Sequence, residues 1–83
     1  MTQPEQMLEL YQFEGCPFCS RVRQKMTDLQ LDFIAHTVEP SGDRPQVEDI
    51  SGQTGVPVLV DPNTDTVMPE SGDIVEYLEE HYS

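Results

Sequence analysis

Eighty-three residues with four cations against sixteen acids leave a formal net charge of −12. That weighs against nucleic acid and anionic membrane as partners, because both require cations that neutralise phosphate. No run approaches the roughly 20 apolar residues of a membrane span, and Met1 to Gln6 has neither the cation nor the apolar stretch of a signal peptide. One domain with a modest core is expected. A cytoplasmic location is expected too, where a cysteine pair is more often catalytic or metal-binding than structural.

Residues 1–6 read as a disordered tail, with the folded domain over 7–83. Met7 to Phe13 alternates apolar and polar residues and predicts a first strand. Gly15-Cys16-Pro17-Phe18-Cys19-Ser20-Arg21 follows, holding both cysteines and leading into Arg23 and Lys25. A helix is predicted from Pro17 to Leu29, since proline suits the first helical turn, where a missing N–H costs nothing. Cys19, Val22, Met26 and Leu29 share one face of it, which turns Cys19 inward and Cys16 outward. Cys16 thus stands where unpaired backbone N–H groups and the positive helix end favour an anion. Such surroundings bring a cysteine pKa from about 8.5 into a range of roughly 3.5–7.5.

Leu31 to Val38 predicts a second strand. Its apolar residues fall at both parities, the pattern of a strand covered on both faces. A polar connection, Glu39 to Asp43, leads to a second helix over Arg44–Gln53, anchored only by Val47 and Ile50 and expected to be the least stable element. Val56 to Asp61 predicts a third strand, Asp61-Pro62-Asn63-Thr64 a turn, and Thr66 to Met68 a short fourth strand antiparallel to the third. Ser71 is a suitable N-cap with Asp73 in the first turn, and the third helix should bury Ile74, Val75, Leu78 and Tyr82. The order is β-α-β-α-β-β-α, with a right-handed crossover making the first two strands parallel.

Two thiols spaced Cys-x-x-Cys at a helix start have several readings. A structural disulfide closing so small a loop removes little unfolded-state entropy. A closed zinc site needs about four ligands, and His36 and His81 are too far apart in sequence to complete one. No metal site is expected. Asp61-x-Asn63-x-Asp65 begins like a calcium loop, but Thr66 and Gly72 stand where glycine and a bidentate glutamate are needed. Redox chemistry is the reading that this spacing favours beside a β-α-β pattern.

Over residues 7–82 the chain resembles the glutaredoxin branch of the thioredoxin fold. Cys16-Pro17-Phe18-Cys19 resembles that family's Cys-Pro-Tyr-Cys. Thr54-Gly55-Val56-Pro57 resembles its Thr-Val-Pro, in which the proline is cis and lies beside the active cysteine. Glu70-Ser71-Gly72-Asp73-Ile74 resembles the loop that opens the last helix and holds the γ-glutamyl end of glutathione. Glu70-Ser71, Ile74 and Tyr77-Leu78 also resemble the N-terminal domain of glutathione transferases.

The resemblance implies a mixed four-stranded sheet in a three-layer α/β fold and a thiol–disulfide oxidoreductase. Cys16 would be the exposed nucleophile and Cys19 the resolving thiol. Val56, Pro57, Ser71 and Asp73 would hold the thiol substrate, with Pro17, Phe18 and Arg21 in support. Disulfide-containing proteins and glutathione, or a related low-molecular-weight thiol, would be the partners of a monomer with no bound cofactor. Two positions depart from the family: Phe13 replaces its usual lysine, and Pro69-Glu70 replaces its Gly-Gly. Both point toward a related thiol. The rival readings are a thioredoxin-like carrier reduced by a reductase protein, a dimeric iron–sulfur module built on Cys16, and a redox-inactive binding domain.

The charge also suggests adaptation to high salt, where the Debye length falls to about 3 Å at 1 M and self-repulsion is screened. On that reading the melting temperature rises between about 0.1 M and 1 M KCl. A protein no more stable at molar salt than at low salt would remove the idea.

Overall fold

A computed structural model of the chain describes residues 5–40 and 44–82. The elements run β1 (Leu8–Gln12), α1 (Pro17–Asp28), β2 (Phe33–Thr37), α2 (Pro45–Ser51), β3 (Val58–Asp61), β4 (Thr66–Met68) and α3 (Ser71–Tyr82). This is the expected order, with each strand except β4 and each helix except α3 a little shorter than its periodicity suggested. The sheet order is β2-β1-β3-β4, with β1 and β2 parallel and the other two pairings antiparallel.

Alternation in β1 sends Leu8, Leu10 and Gln12 to one face, where all three are buried. There Val22 and Met26 of α1 and Ile74 and Leu78 of α3 close the main core over Leu8, Leu10 and Leu59. On the other face Val47 of α2 joins Val38 and Val58, with Tyr11, Phe13, Ile50 and Val56 around them. Helix α1 stops without a glycine. Gln30 takes a left-handed φ of 55°, and the Leu31 N–H reaches back to the Met26 carbonyl at 2.8 Å, closing a Schellman turn that packs Leu31 into the core. Helix α2 ends on Gly52, whose φ of 78° suits a residue without Cβ.

The reading of β2 as covered on both faces is corrected. It is an edge strand, and Ile34 and Ala35 are exposed. For Ile34 the cause is the length of α2, whose seven residues with two apolar anchors cover only part of its face, whereas Ala35, in register with Leu10 on the opposite face, stands at the open edge of the sheet. Ile34, Glu9, Val60 and Val67 are paired in register across all four strands, and Ile34 and Val67 stay open.

A second correction concerns α3. The Ile74 N–H donates to the Glu70 carbonyl at 2.8 Å, so Glu70 holds the cap position and Ser71 is already helical. Tyr77 is buried, while Val75 and Tyr82 are only half-buried. What draws Tyr77 in is Asp61, fully buried at the end of β3. Its Oδ2 accepts from the hydroxyls of Tyr77 at 2.6 Å and Tyr82 at 2.5 Å. Its Oδ1 accepts from the backbone and side-chain N–H groups of Asn63, both at 2.9 Å. Asn63 in turn exchanges two hydrogen bonds with the backbone of Gln6. Of the segment expected as a tail, residues 1–4 lie outside the described residues, as do 41–43 of the polar connection. No helix among the described residues is long and apolar enough to cross a membrane.

Burial would push the Asp61 carboxyl up, but the hydrogen bonds from Tyr77, Tyr82 and Asn63 outweigh it and hold the pKa below its ordinary 3.8. A depressed carboxylate contributes stability above its unfolded pKa and loses it as pH falls through the lower folded value. The Asp61 contribution should therefore be intact above about pH 4 and fade only below it. Asp61→Ala, which leaves two tyrosine hydroxyls without their acceptor, should cost about 3 kcal/mol in urea unfolding at neutral pH. It should also flatten the acid limb of the stability curve.

Candidate active site

Strand β1 delivers the chain to the cysteines through Phe13-Glu14-Gly15. Gly15 has a φ of 92°, a conformation that side chains with a Cβ rarely adopt, and it turns the chain into α1. Cys16 is the N-cap, extended at φ −80° and ψ 116°, with Pro17 as the first helical residue. Its Sγ accepts the Cys19 N–H at 3.4 Å, so sulfur does here what a serine or aspartate oxygen does at most helix starts. Cys19 is fully buried, as its helical face required. Cys16 was expected to face outward and keeps only 6% exposure, because the capping bond folds its side chain back over the first turn.

The two thiols are tuned in opposite directions. Burial pushes Cys16 up, but the hydrogen bonds from Cys19 and the Phe18 N–H, with the charge of Arg23, bring it below its ordinary 9.0. Burial pushes Cys19 up as well, and the hydrogen bond and charge of Cys16 add to that, taking it to about 11. One thiol is made easy to ionise and its neighbour hard.

Of the three cations expected to add positive potential after the cysteines, Arg21, Arg23 and Lys25, Arg23 is the one that acts on both thiols, while Arg21 is exposed. Arg23 follows Cys19 by one helical turn on the same face. Its Nη1 donates to Gln12 Oε1 at 2.7 Å, and Gln12 donates onward to Thr37 at 3.4 Å, so the end of β1 aims the guanidinium. Lys25 is taken by Glu79 at 2.5 Å.

A groove of about 280 Å³ lies beside this turn. Phe18, 57% exposed, lines it from α1, Gln53 and Gly55-Val56-Pro57 from the segment before β3, and Pro69-Glu70-Ser71 from the start of α3. The Val56–Pro57 bond is cis, as expected. Val56, Pro57, Ser71 and Phe18 are therefore brought together. Asp73 is not: it lines a separate pocket with Met68, Glu76, Tyr77 and Glu80. One helical turn beyond Ser71 would be needed for both to share a face, and Asp73 is only two residues on. Glu70 and Gln53 line the groove without having been singled out for it. Glu70 was legible as half of the Glu-Ser pair; nothing local marks Gln53.

The imidazoles are engaged elsewhere. His36 contacts Glu9 at 2.6 Å and stacks on Tyr11, and His81 lies tilted against the Tyr77 ring. Among the described residues, no three His, Cys, Asp or Glu side chains come together as a metal site.

Compared by sequence, residues 10–83 match the family model for the glutathione S-transferase N-terminal domain. The chain belongs to that family. No curated protein matches this glutathione S-transferase N-terminal domain in sequence. Among solved structures it is similar to glutaredoxin 2 from Salmonella typhimurium in complex with glutathione, at 25% identity and a TM-score of 0.78, over 90% of this chain and 34% of that one. It is similar to a glutathione S-transferase from the Antarctic clam Laternula elliptica at 24% identity and a TM-score of 0.82, over 93% and 36%. A Tau class glutathione S-transferase from mango, Mangifera indica, superimposes at 19% identity with a TM-score of 0.81, over 92% and 34%. The chain spans about a third of the length of each. The fold is thus glutaredoxin-like, of the thioredoxin type, with the expected kinship to transferase N-terminal domains.

Alkylation by iodoacetamide followed against pH should show Cys16 reacting with a midpoint below 9.0 and Cys19 only toward 11. Arg23→Met should raise both midpoints, while Arg21→Met should leave them in place. Equal effects of the two arginines would mean that the Gln12 contact does not aim the charge.

Proposed function

We propose that this domain is a thiol–disulfide oxidoreductase that works with glutathione or a related low-molecular-weight thiol. The observation that carries the reading is the oppositely tuned thiol pair at the start of α1, next to a groove lined by Val56, Pro57 and Ser71. Family membership and the glutathione-bound glutaredoxin 2 neighbour support the choice of thiol.

In the first step the Cys16 thiolate attacks one sulfur of a disulfide. A Cys16 mixed disulfide forms, the substrate S–S bond breaks, and the departing thiolate takes a proton from solvent. Once Cys16 is bonded it carries no charge, and one of the causes that holds the Cys19 proton is gone. Cys19 then ionises more readily, attacks Cys16 Sγ and expels the second thiol, leaving a Cys16–Cys19 disulfide. Two molecules of the small thiol reduce that disulfide and leave as their own disulfide. Alternatively, one small thiol resolves the mixed disulfide directly. Backbone N–H and C=O of Val56 would pair with the peptide-like part of the thiol as an added strand. Ser71 and Glu70, at the N-terminus of α3, would receive its γ-glutamyl end, the role first expected of Ser71 with Asp73.

A second reading, transfer of the small thiol to an electrophile, is favoured by the Glu70-Ser71 pair and by the transferase neighbours. Conjugation to 1-chloro-2,4-dinitrobenzene tests it directly.

Cys16→Ser should abolish exchange with glutathione disulfide, whereas Cys19→Ser should accumulate one stable glutathione adduct by mass spectrometry. Equal loss of adduct in both variants would overturn the assignment of roles. A wild-type protein that forms no mixed disulfide at all would overturn the function.

A further inference from the structure

Arg44 is not part of the groove lining, yet it ties together the two segments on which the site depends. Its guanidinium stands 5.5 Å from the centre of the Phe13 ring, in the turn that leads to Cys16. Nη1 donates to the Thr54 carbonyl at 2.8 Å, two residues before Val56. Nε donates to the Glu39 carbonyl at 2.9 Å and Nη2 to the Pro40 carbonyl at 2.8 Å, where the chain has left β2. One planar fork therefore fixes three backbone carbonyls and lies against an aromatic ring, an arrangement that needs several divergent N–H donors on a rigid frame.

Val56 packs against the Val38, Val47 and Val58 cluster and Pro57 is buried, but the Thr54–Gly55 part of the segment has little else to fix it. Between the end of α2 at Ser51 and the start of β3 at Val58 there is no ladder or helix, and Thr54 and Gly55 are exposed. The Ser51 hydroxyl holds the backbone of Gln53, which lies before Thr54. Val56 and Pro57 follow at once and form one side of the groove.

We propose that Arg44 is a positioning residue, holding the Thr54–Pro57 segment at a set distance from the Cys16 turn and so governing how well the groove binds a thiol substrate. The substrate half of this proposal rests on the exchange function argued above; the ordering of the segment does not. Cys16 keeps its cap and its Arg23 neighbour whatever Arg44 does, so Arg44 acts on binding and leaves the ionisation of Cys16 alone.

The test uses the full chain with Arg44→Met and Arg44→Lys. Lysine keeps the charge but supplies a single point of attachment. Backbone order parameters from nitrogen relaxation at Gly55 and Val56 should fall from about 0.85 toward 0.6 in Arg44→Met, and less in Arg44→Lys. In exchange with glutathione disulfide, KM should rise about tenfold for methionine and less for lysine, with kcat within about twofold. The pH midpoint of Cys16 alkylation should not move. Unchanged order at Gly55 and Val56 overturns the proposal. Lost order with unchanged KM also overturns it, since Arg44 would then be a brace without bearing on the groove. If Arg44→Met does not fold, Arg44→Lys carries the comparison. A wild-type protein with no exchange activity sinks the function instead, and the relaxation measurement then decides the ordering alone.

Discussion

A sulfur at the N-cap of α1 has to satisfy two demands at once. It must accept the Cys19 N–H well enough to start the helix, and for the function proposed it must also serve as nucleophile and leaving group. Cys16 does both because its thiolate is a better acceptor than its thiol, so ionisation and capping favour one another. The same coupling ties the site to the fold. Gly15 sets the direction of the turn, β1 sets where the turn begins, and Gln12 at the end of β1 holds the arginine that acts on the sulfur. A helix that stabilises the thiolate stabilises the reduced state, and a reduced state so favoured makes the corresponding disulfide more oxidising.

Much of this was legible because it is local. Strand and helix periods, the proline after Cys16 and the turn at Asp61-Pro62 are all written in short stretches of chain, and the cis bond before β3 was legible through the resemblance of Thr54-Gly55-Val56-Pro57 to the glutaredoxin motif. What escaped depends on partners distant in sequence. The parity of Leu31–Val38 says that apolar side chains point both ways, but how far a seven-residue α2 reaches across the sheet is a property of the assembled layers. Asp61 looked like a turn residue, and only the return of α3 past β3 brings Tyr77 and Tyr82 onto its carboxylate. Arg21 and Arg23 lie on opposite sides of the helical wheel, with Arg23 on the Cys19 face, but the contact that aims its guanidinium exists only once β1 is packed beside α1 and Gln12 reaches it. Ser71 and Asp73 share a motif but not a face, and the groove keeps the residue before Ser71 instead.

The scarcity of cations sharpens their use. With four on a chain of net charge −12, three are engaged on specific partners: Arg23 on Gln12, Lys25 on Glu79, and Arg44 on three carbonyls. Two of these partners are neutral. A guanidinium bound to carbonyl and amide oxygens at under 3 Å loses little to added salt, because the contact is far shorter than the screening length at moderate ionic strength. Surface repulsion and internal bracing therefore respond differently to the ionic medium.

The row that crosses the sheet under the short α2 carries a last consequence. With an apolar residue in place of Glu9, Ile34, Val60 and Val67 on the other three strands would complete an apolar band over all four, the kind of surface on which sheets stack and edge strands recruit copies of themselves. Glu9 stands in the middle of that band, paired with His36. Any body laid flat on the row must strip water from the carboxylate, and a buried charge of that kind is costly unless fully matched. A single acid on β1 thus breaks the apolar row at its centre, and the desolvation cost it sets acts at contact range, so it does not fade when salt screens the rest of the molecule.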